Sequence, residues 1–219
     1  LNHPLRIFTL NYVLCLERVS QAFSSQLPER GFDEQRFWKW QLFEDTEDKK
    51  RNLFLYKLHG SIDWMYDNEN GRLTFSDSTS KIKPEESALI FGTSYKLQYV
   101  DPFLFLVYEF RRWSLDAKLV VVVGYGFADE HINGILKQAI RHRSDNRLLS
   151  VAPIQSDNDK KKTQDQISWI ASKLELTDTE LDRIHVLDSG AKDFFENTLS
   201  LEGLAKFFPK QESPFQELS

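Results

Sequence analysis

The chain has 219 residues, of which 41% are hydrophobic and 13% aromatic, enough for the core of one large domain or two small ones. A formal net charge of −5 and a pI near 5.6 argue against broad binding along a phosphate backbone, so direct contact with nucleic acid is not expected. The single cysteine, Cys15, allows neither an internal disulfide nor a thiolate zinc site, and no signal-peptide pattern or membrane-length apolar run is present, so a cytoplasmic protein without membrane contact is expected.

In chain order, Leu5 to Leu10 reads as a strand, with Thr9 and Asn11 at its polar end, and Leu16, Val19 and Phe23 follow at helical spacing. A strand so close to Leu1 leads to the expectation that the chain begins inside a larger domain. Gln26 to Phe32, with Pro28 and Gly31, reads as a loop. Phe37, Trp38, Trp40, Leu42 and Phe43 alternate with Arg36 and Lys39. Such a pattern can stack nucleobases, but the acidic Glu44, Asp45, Glu47 and Asp48 directly after it favour core or subunit packing.

Leu53 to Leu58 is an apolar run that ends in His59, Gly60 and Ser61. An open α/β sheet gathers its ligands beyond the carboxyl ends of its strands. His59 is therefore a candidate acid or base, with a turn histidine satisfied by the backbone as the alternative. Ile62 to Tyr66 and Arg72 to Phe75 flank Asn70 and Gly71, a hairpin signal. Ser76 to Ser87 reads as a surface loop and Ala88 to Phe91 as a short strand. Asp101 and Pro102 open a helix with Phe103, Leu106, Val107, Phe110 and Trp113 on one face.

Leu119 to Val123 is the most hydrophobic run and predicts a central parallel strand buried on both faces. Gly124, Tyr125, Gly126 and Phe127 follow, and then Asp129, a cap for a helix carrying Ile132, Ile135, Leu136, Ala139 and Ile140. Two glycines before a helix N-terminus can admit an anion to backbone N–H groups, or can serve only a tight turn. His131 beside Asp129 and Glu130 does not make a metal site, because consecutive residues do not share a helical face. Leu148 to Ala152 is a further strand, Ser156 to Gln164 a solvated loop entering a helix through Ile170 and Leu174, and Arg183 to Leu187 a last strand. It ends at Asp188, Ser189, Gly190 and Ala191, and a helix with Phe194, Phe195, Leu199 and Leu201 follows. Strands alternating with helices predict a doubly wound parallel sheet.

With Thr9, Leu10, Asn11, Tyr12 at one strand end, Lys57 to Trp64 at another and Val123 to His131 at a third, the chain resembles the sirtuin-like family. More narrowly, it is similar to the bacterial branch that lacks the zinc module and includes NAD-consuming effectors of antiphage defence. The resemblance implies a single domain over 1–219, matching the family from about Leu5 to Phe208, with insertions at about 24–52 and 65–87. The implied fold is α/β: a Rossmann-like parallel sheet with helices on both faces and a small β and loop excursion, its opening strand and glycine-rich loop missing.

The resemblance further implies an NAD glycohydrolase that releases nicotinamide and ADP-ribose, with NAD as substrate and no zinc. Asn11 and His59 take the catalytic positions. Thr9, Tyr12, Gly60 and Ser61 line the site, Gly124, Tyr125, Gly126 and Phe127 lie near the phosphates, and Ser189, Gly190 and Ala191 lie near adenine. Homo-oligomers or other defence proteins are the implied partners. The chain departs from the family pattern at Val13, where an aspartate is usual, at Gly126, where a serine is usual, and in the long interval between Asn11 and His59. These departures make a catalytically impaired NAD- or ADP-ribose-binding or assembly module the alternative. Deacylation is not expected, since deacylating relatives carry a four-cysteine zinc module.

Overall fold

The computed structural model describes residues 5–23, 27–44, 53–67, 69, 71–90, 101–154 and 159–209. Asn70 of the hairpin signal and Phe91 of the short strand lie outside these residues. The fold is α/β and Rossmann-like, built from parallel sheets flanked by helices together with a small antiparallel sheet. The chain divides into two compact units, Leu1–Phe110 and Arg111–Ser219.

In the first unit, β1 (Leu5–Thr9) pairs in parallel with β2 (Leu53–Lys57), placing Leu5 opposite Leu53 and Thr9 opposite Lys57. Parallel pairing needs a crossover, which begins with α1 (Cys15–Phe23). Phe54, Leu55 and Tyr56 are buried almost completely. Of the aromatic segment Phe43 enters the core, Phe37 and Trp38 are half-buried and Trp40 is exposed. Phe43 stacks on Tyr56 with ring centroids 4.6 Å apart and meets Phe105 at 5.5 Å. β3 (Gly60–Asp67), β4 (Arg72–Phe75) and β5 (Ser87–Leu89) form an antiparallel sheet in the order β4-β3-β5, so the strand read at Ala88 belongs to the excursion. The loop between β4 and β5 contains two short 3-10 turns, Thr79–Lys81 and Pro84–Glu86. In α2 (Phe103–Asp116), Phe103, Leu106 and Phe110 are the buried apolar positions.

The second unit is a parallel sheet in the order β6 (Leu119–Val123), β7 (Arg147–Val151), β8 (Ile184–Leu187), with α3 (Glu130–His142) and α4 (Asp159–Lys173) as crossovers. The expectation for Leu119 to Val123 needs correction. β6 is an edge of this sheet and every residue in it is only partly buried, whereas β7, flanked on both sides, is buried throughout. Position in the sheet therefore outweighed hydrophobicity: β7 carries Arg147 and Ser150 inside.

Leu119, Val121 and Val123 pack on the cluster of Leu149, Val151 and Phe194. The expected C-terminal helix is broken into α5 (Ala191–Asp193), one π-type turn over Phe194–Thr198, and α6 (Leu201–Ala205). Ser200 restarts the helix by accepting the Gly203 N–H at 3.0 Å, and of the four apolar residues read there only Phe194 is buried.

Glu180 ties α3 to the turn before β8. It accepts two hydrogen bonds from Arg141, at 2.8 and 3.1 Å, and closes a capping box with Thr177. The Arg141 guanidinium, followed by the Thr177 N–H, lowers its carboxyl to about 2. A carboxyl depressed in the folded state contributes stability above its ordinary value near 4.5, and this is lost as pH falls toward 2. Glu180→Gln is expected to cost about 2 kcal/mol at pH 7. Denaturant melts of the two proteins should converge as pH approaches 2.

Candidate active site

Two of the three strand ends singled out in the sequence meet in the first unit. Because Thr9 pairs with Lys57, Asn11 and His59 each stand two residues past the same rung of the β1–β2 ladder. The Leu58 N–H donates to the Thr9 carbonyl at 3.0 Å, which keeps the chains together past the last pair. Asn11 is exposed, and its N–H donates to Thr9 Oγ1 at 3.1 Å. His59 is half-buried, its ring 6.3 Å from the Tyr12 ring, and its carbonyl accepts from the Ile90 N–H at 3.0 Å. The Tyr12 hydroxyl donates to the Ile90 carbonyl at 2.5 Å, so β1, β2 and the end of β5 are tied at one place.

Gly60 and Ser61 shape this corner from inside. Gly60 has φ +85°, and a Cβ on it would stand 2.1 Å from the Ala88 carbonyl oxygen. Ser61 is fully buried and donates its hydroxyl to the Tyr12 carbonyl at 3.3 Å. Val13 is 50% exposed. A cleft of about 680 Å³ in this unit is lined by Glu17, Arg30, Asp33, Asp63 and Phe75 but by neither Asn11 nor His59. Volume alone does not mark the corner.

In the second unit, the Gly124 to Phe127 turn and the Ser189 to Ala191 loop leave the carboxyl ends of β6 and β8, the outer strands of one parallel sheet. The turn is set by backbone conformations that a strand cannot supply: Gly124 at φ +66° and Phe127 at φ +49°. Its unforeseen organiser is Asn133, buried in α3. Asn133 Nδ2 donates to the Phe127 carbonyl at 3.0 Å, and its Oδ1 lies 2.9 Å from the Tyr125 hydroxyl. Burial pushes the Tyr125 phenol up, so it stays a neutral donor.

Asp129 caps α3, its Oδ1 accepting the His131 and Ile132 N–H groups at 2.9 and 3.2 Å. A carboxylate thus already occupies the helix N-terminus where an anion was expected to gain from the dipole. Ser189 Oγ donates to Asp193 Oδ2 at 2.7 Å, and that bond, with one from Asn197, holds the exposed Asp193 carboxyl below its usual value. Among the described residues no group of His, Cys, Asp and Glu is arranged to hold a metal, and no helix is long and apolar enough to cross a membrane.

Gly60→Ala tests the corner. Positive φ and a backbone oxygen in the way make it destabilising by more than about 2 kcal/mol, read by thermal melting, and an unchanged melt would contradict the close approach to Ala88.

The arrangement, polar side chains just past the carboxyl ends of parallel strands, is where α/β sheets bind nucleotides. Residues 5–176 match the SIR2-like domain, a stretch that contains Asn11, His59 and the Gly124 turn and stops before Ser189. No curated protein matches the chain. The match covers most of the sequence and reaches into both units, and the chain belongs to the SIR2-like domain family, whose chemistry centres on NAD.

Proposed function

We propose that the chain hydrolyses NAD to nicotinamide and ADP-ribose. The observation that carries this reading is the shared rung: Asn11 and His59 both follow the Thr9–Lys57 pair and are held at one corner of the first unit. Nicotinamide is cationic while attached to the ribose. When the C–N bond breaks, its electron pair goes to the ring nitrogen and nicotinamide leaves neutral, without a proton donor. The site must then stabilise an oxocarbenium-like ribose and deliver water to its anomeric carbon. The Asn11 carboxamide orients that water, and His59 accepts its proton as the new C–O bond forms. No pair of carboxylates of the glycosidase kind is required.

Thr9, Tyr12, Gly60 and Ser61 frame this chemistry in the proposal. Gly124, Tyr125, Gly126 and Phe127 are assigned to the phosphates, and Ser189, Gly190 and Ala191 to adenine. The family resemblance supports reading residues 1–219 as one zinc-less sirtuin-like domain, a cytoplasmic NAD-depleting effector of bacterial antiphage defence that works as a homo-oligomer or with other defence proteins. A second reading, an NAD- or ADP-ribose-binding or assembly module without turnover, is favoured by one observation: Val13 presents an apolar side chain where the family uses an acid.

Asn11→Ala and His59→Ala should each lower NAD consumption by about 100-fold or more with the thermal melt retained. Equal turnover in wild type and both variants would remove these roles. Calorimetric binding of NAD and ADP-ribose with no consumption would select the second reading.

A further inference from the structure

Lys57 closes β2 with a side chain only 1% exposed. Its ammonium donates to the Val13 carbonyl at 2.7 Å, to the Tyr12 carbonyl at 3.3 Å and to Glu17 Oε1 at 3.1 Å. Glu17 Oε1 also accepts from Arg30 Nη1 at 3.0 Å, and Arg30 reaches Asp63 Oδ2 through both terminal nitrogens at 2.9 Å. The Arg30 guanidinium lies 5.2 Å from the Phe75 ring centre and 5.6 Å from that of Phe32. Two cations and two carboxylates thus form a line from the Tyr12 and Val13 backbone to β3, with Lys57 inside and Glu17, Arg30 and Asp63 bordering the cleft.

As a source of stability the line is poor. Burial pushes the Lys57 amine below its ordinary value, with Glu17 opposing. Glu17 Oε2 and Asp63 Oδ1 are buried without a hydrogen-bond partner among the described residues. Buried charges satisfied on one oxygen only recover little of their desolvation cost, and apolar residues of equal volume often do as well. What the ammonium supplies and an apolar residue cannot is a fixed position for two consecutive carbonyls. Those carbonyls directly follow Asn11, and the Tyr12 oxygen is also the acceptor for the Ile62 N–H at 3.0 Å and for the Ser61 hydroxyl.

We propose that Lys57 is a positioning residue: its ammonium, braced by Glu17, fixes the backbone of Tyr12 and Val13 and so holds Asn11 in register with His59. This rests on the hydrolase reading above for its catalytic consequence. Its structural half stands alone, because the carbonyl anchored by Lys57 is the one to which the Ile62 N–H donates. A side chain acting this way affects turnover more than substrate affinity, since small displacements of a reacting group cost about 100-fold in rate.

Lys57→Met leaves the line with one unbalanced carboxylate. The Lys57→Met/Glu17→Gln double variant restores neutrality while still lacking the ammonium, and it keeps the test open should the single variant fail to fold. Glu180→Gln, in the second unit, serves as a control that loses stability without touching the Tyr12 carbonyl. In the double variant, kcat for NAD should fall about 100-fold with KM within about 3-fold, and Ile62 amide exchange by NMR should speed up about 10-fold or more. Glu180→Gln should keep wild-type kcat. Unchanged Ile62 exchange, or wild-type kcat in the folded double variant, would overturn the role of Lys57. Faster Ile62 exchange in a protein whose wild type leaves NAD intact supports the anchoring and contradicts the hydrolase reading instead.

Discussion

The polar corner of the first unit converges on one carbonyl oxygen, that of Tyr12. It receives the Ile62 N–H, the Ser61 hydroxyl and the Lys57 ammonium, and so joins the segment after β1 to the end of β2 and the start of β3. Asn11 is exposed and on its own would be a mobile loop side chain. Its backbone is held because the residues on both sides are tied: Thr9 by strand pairing and by the Leu58 N–H, Tyr12 and Val13 by Lys57. These bonds restrict the backbone to one arrangement, although the charged groups behind them recover little of their desolvation cost.

The second unit solves a similar problem differently. Its turn after β6 has no buried cation. Asn133 projects from α3 and engages the turn through both ends of its amide, while Asp129 closes the helix it caps. An amide suffices there because the turn needs one donor and one acceptor. Lys57 has two carbonyls to hold and so must bring several donors on one atom.

Much of this was legible in the sequence because the α/β pattern is carried by long apolar periods and by polar residues at strand ends. Asn11, His59 and the Gly124 turn stand out as chemistry at positions where a strand should have stopped. Lys57 and Asn133 did not stand out. Lys57 sits inside an apolar run, and Asn133 falls within an amphipathic helix. Both act through backbone carbonyls remote in sequence, and no spacing rule encodes such partners. A faint signal existed for Lys57: a strand buried throughout has no solvent to which its last residue can reach. β6 shows the converse: its aliphatic run lies at the edge of its sheet. Hydrophobicity reports how much apolar surface a strand carries, whereas its neighbours in the sheet decide whether it is central.

The central claim is that water attacks the anomeric carbon of the nicotinamide ribose at the corner of Asn11 and His59. Running the wild-type protein with NAD in water enriched in heavy oxygen and weighing the products by mass spectrometry tests it directly. One heavy oxygen per ADP-ribose, none in nicotinamide, and equal amounts of the two are expected. NAD recovered intact and unlabelled from protein shown to bind it would contradict that account.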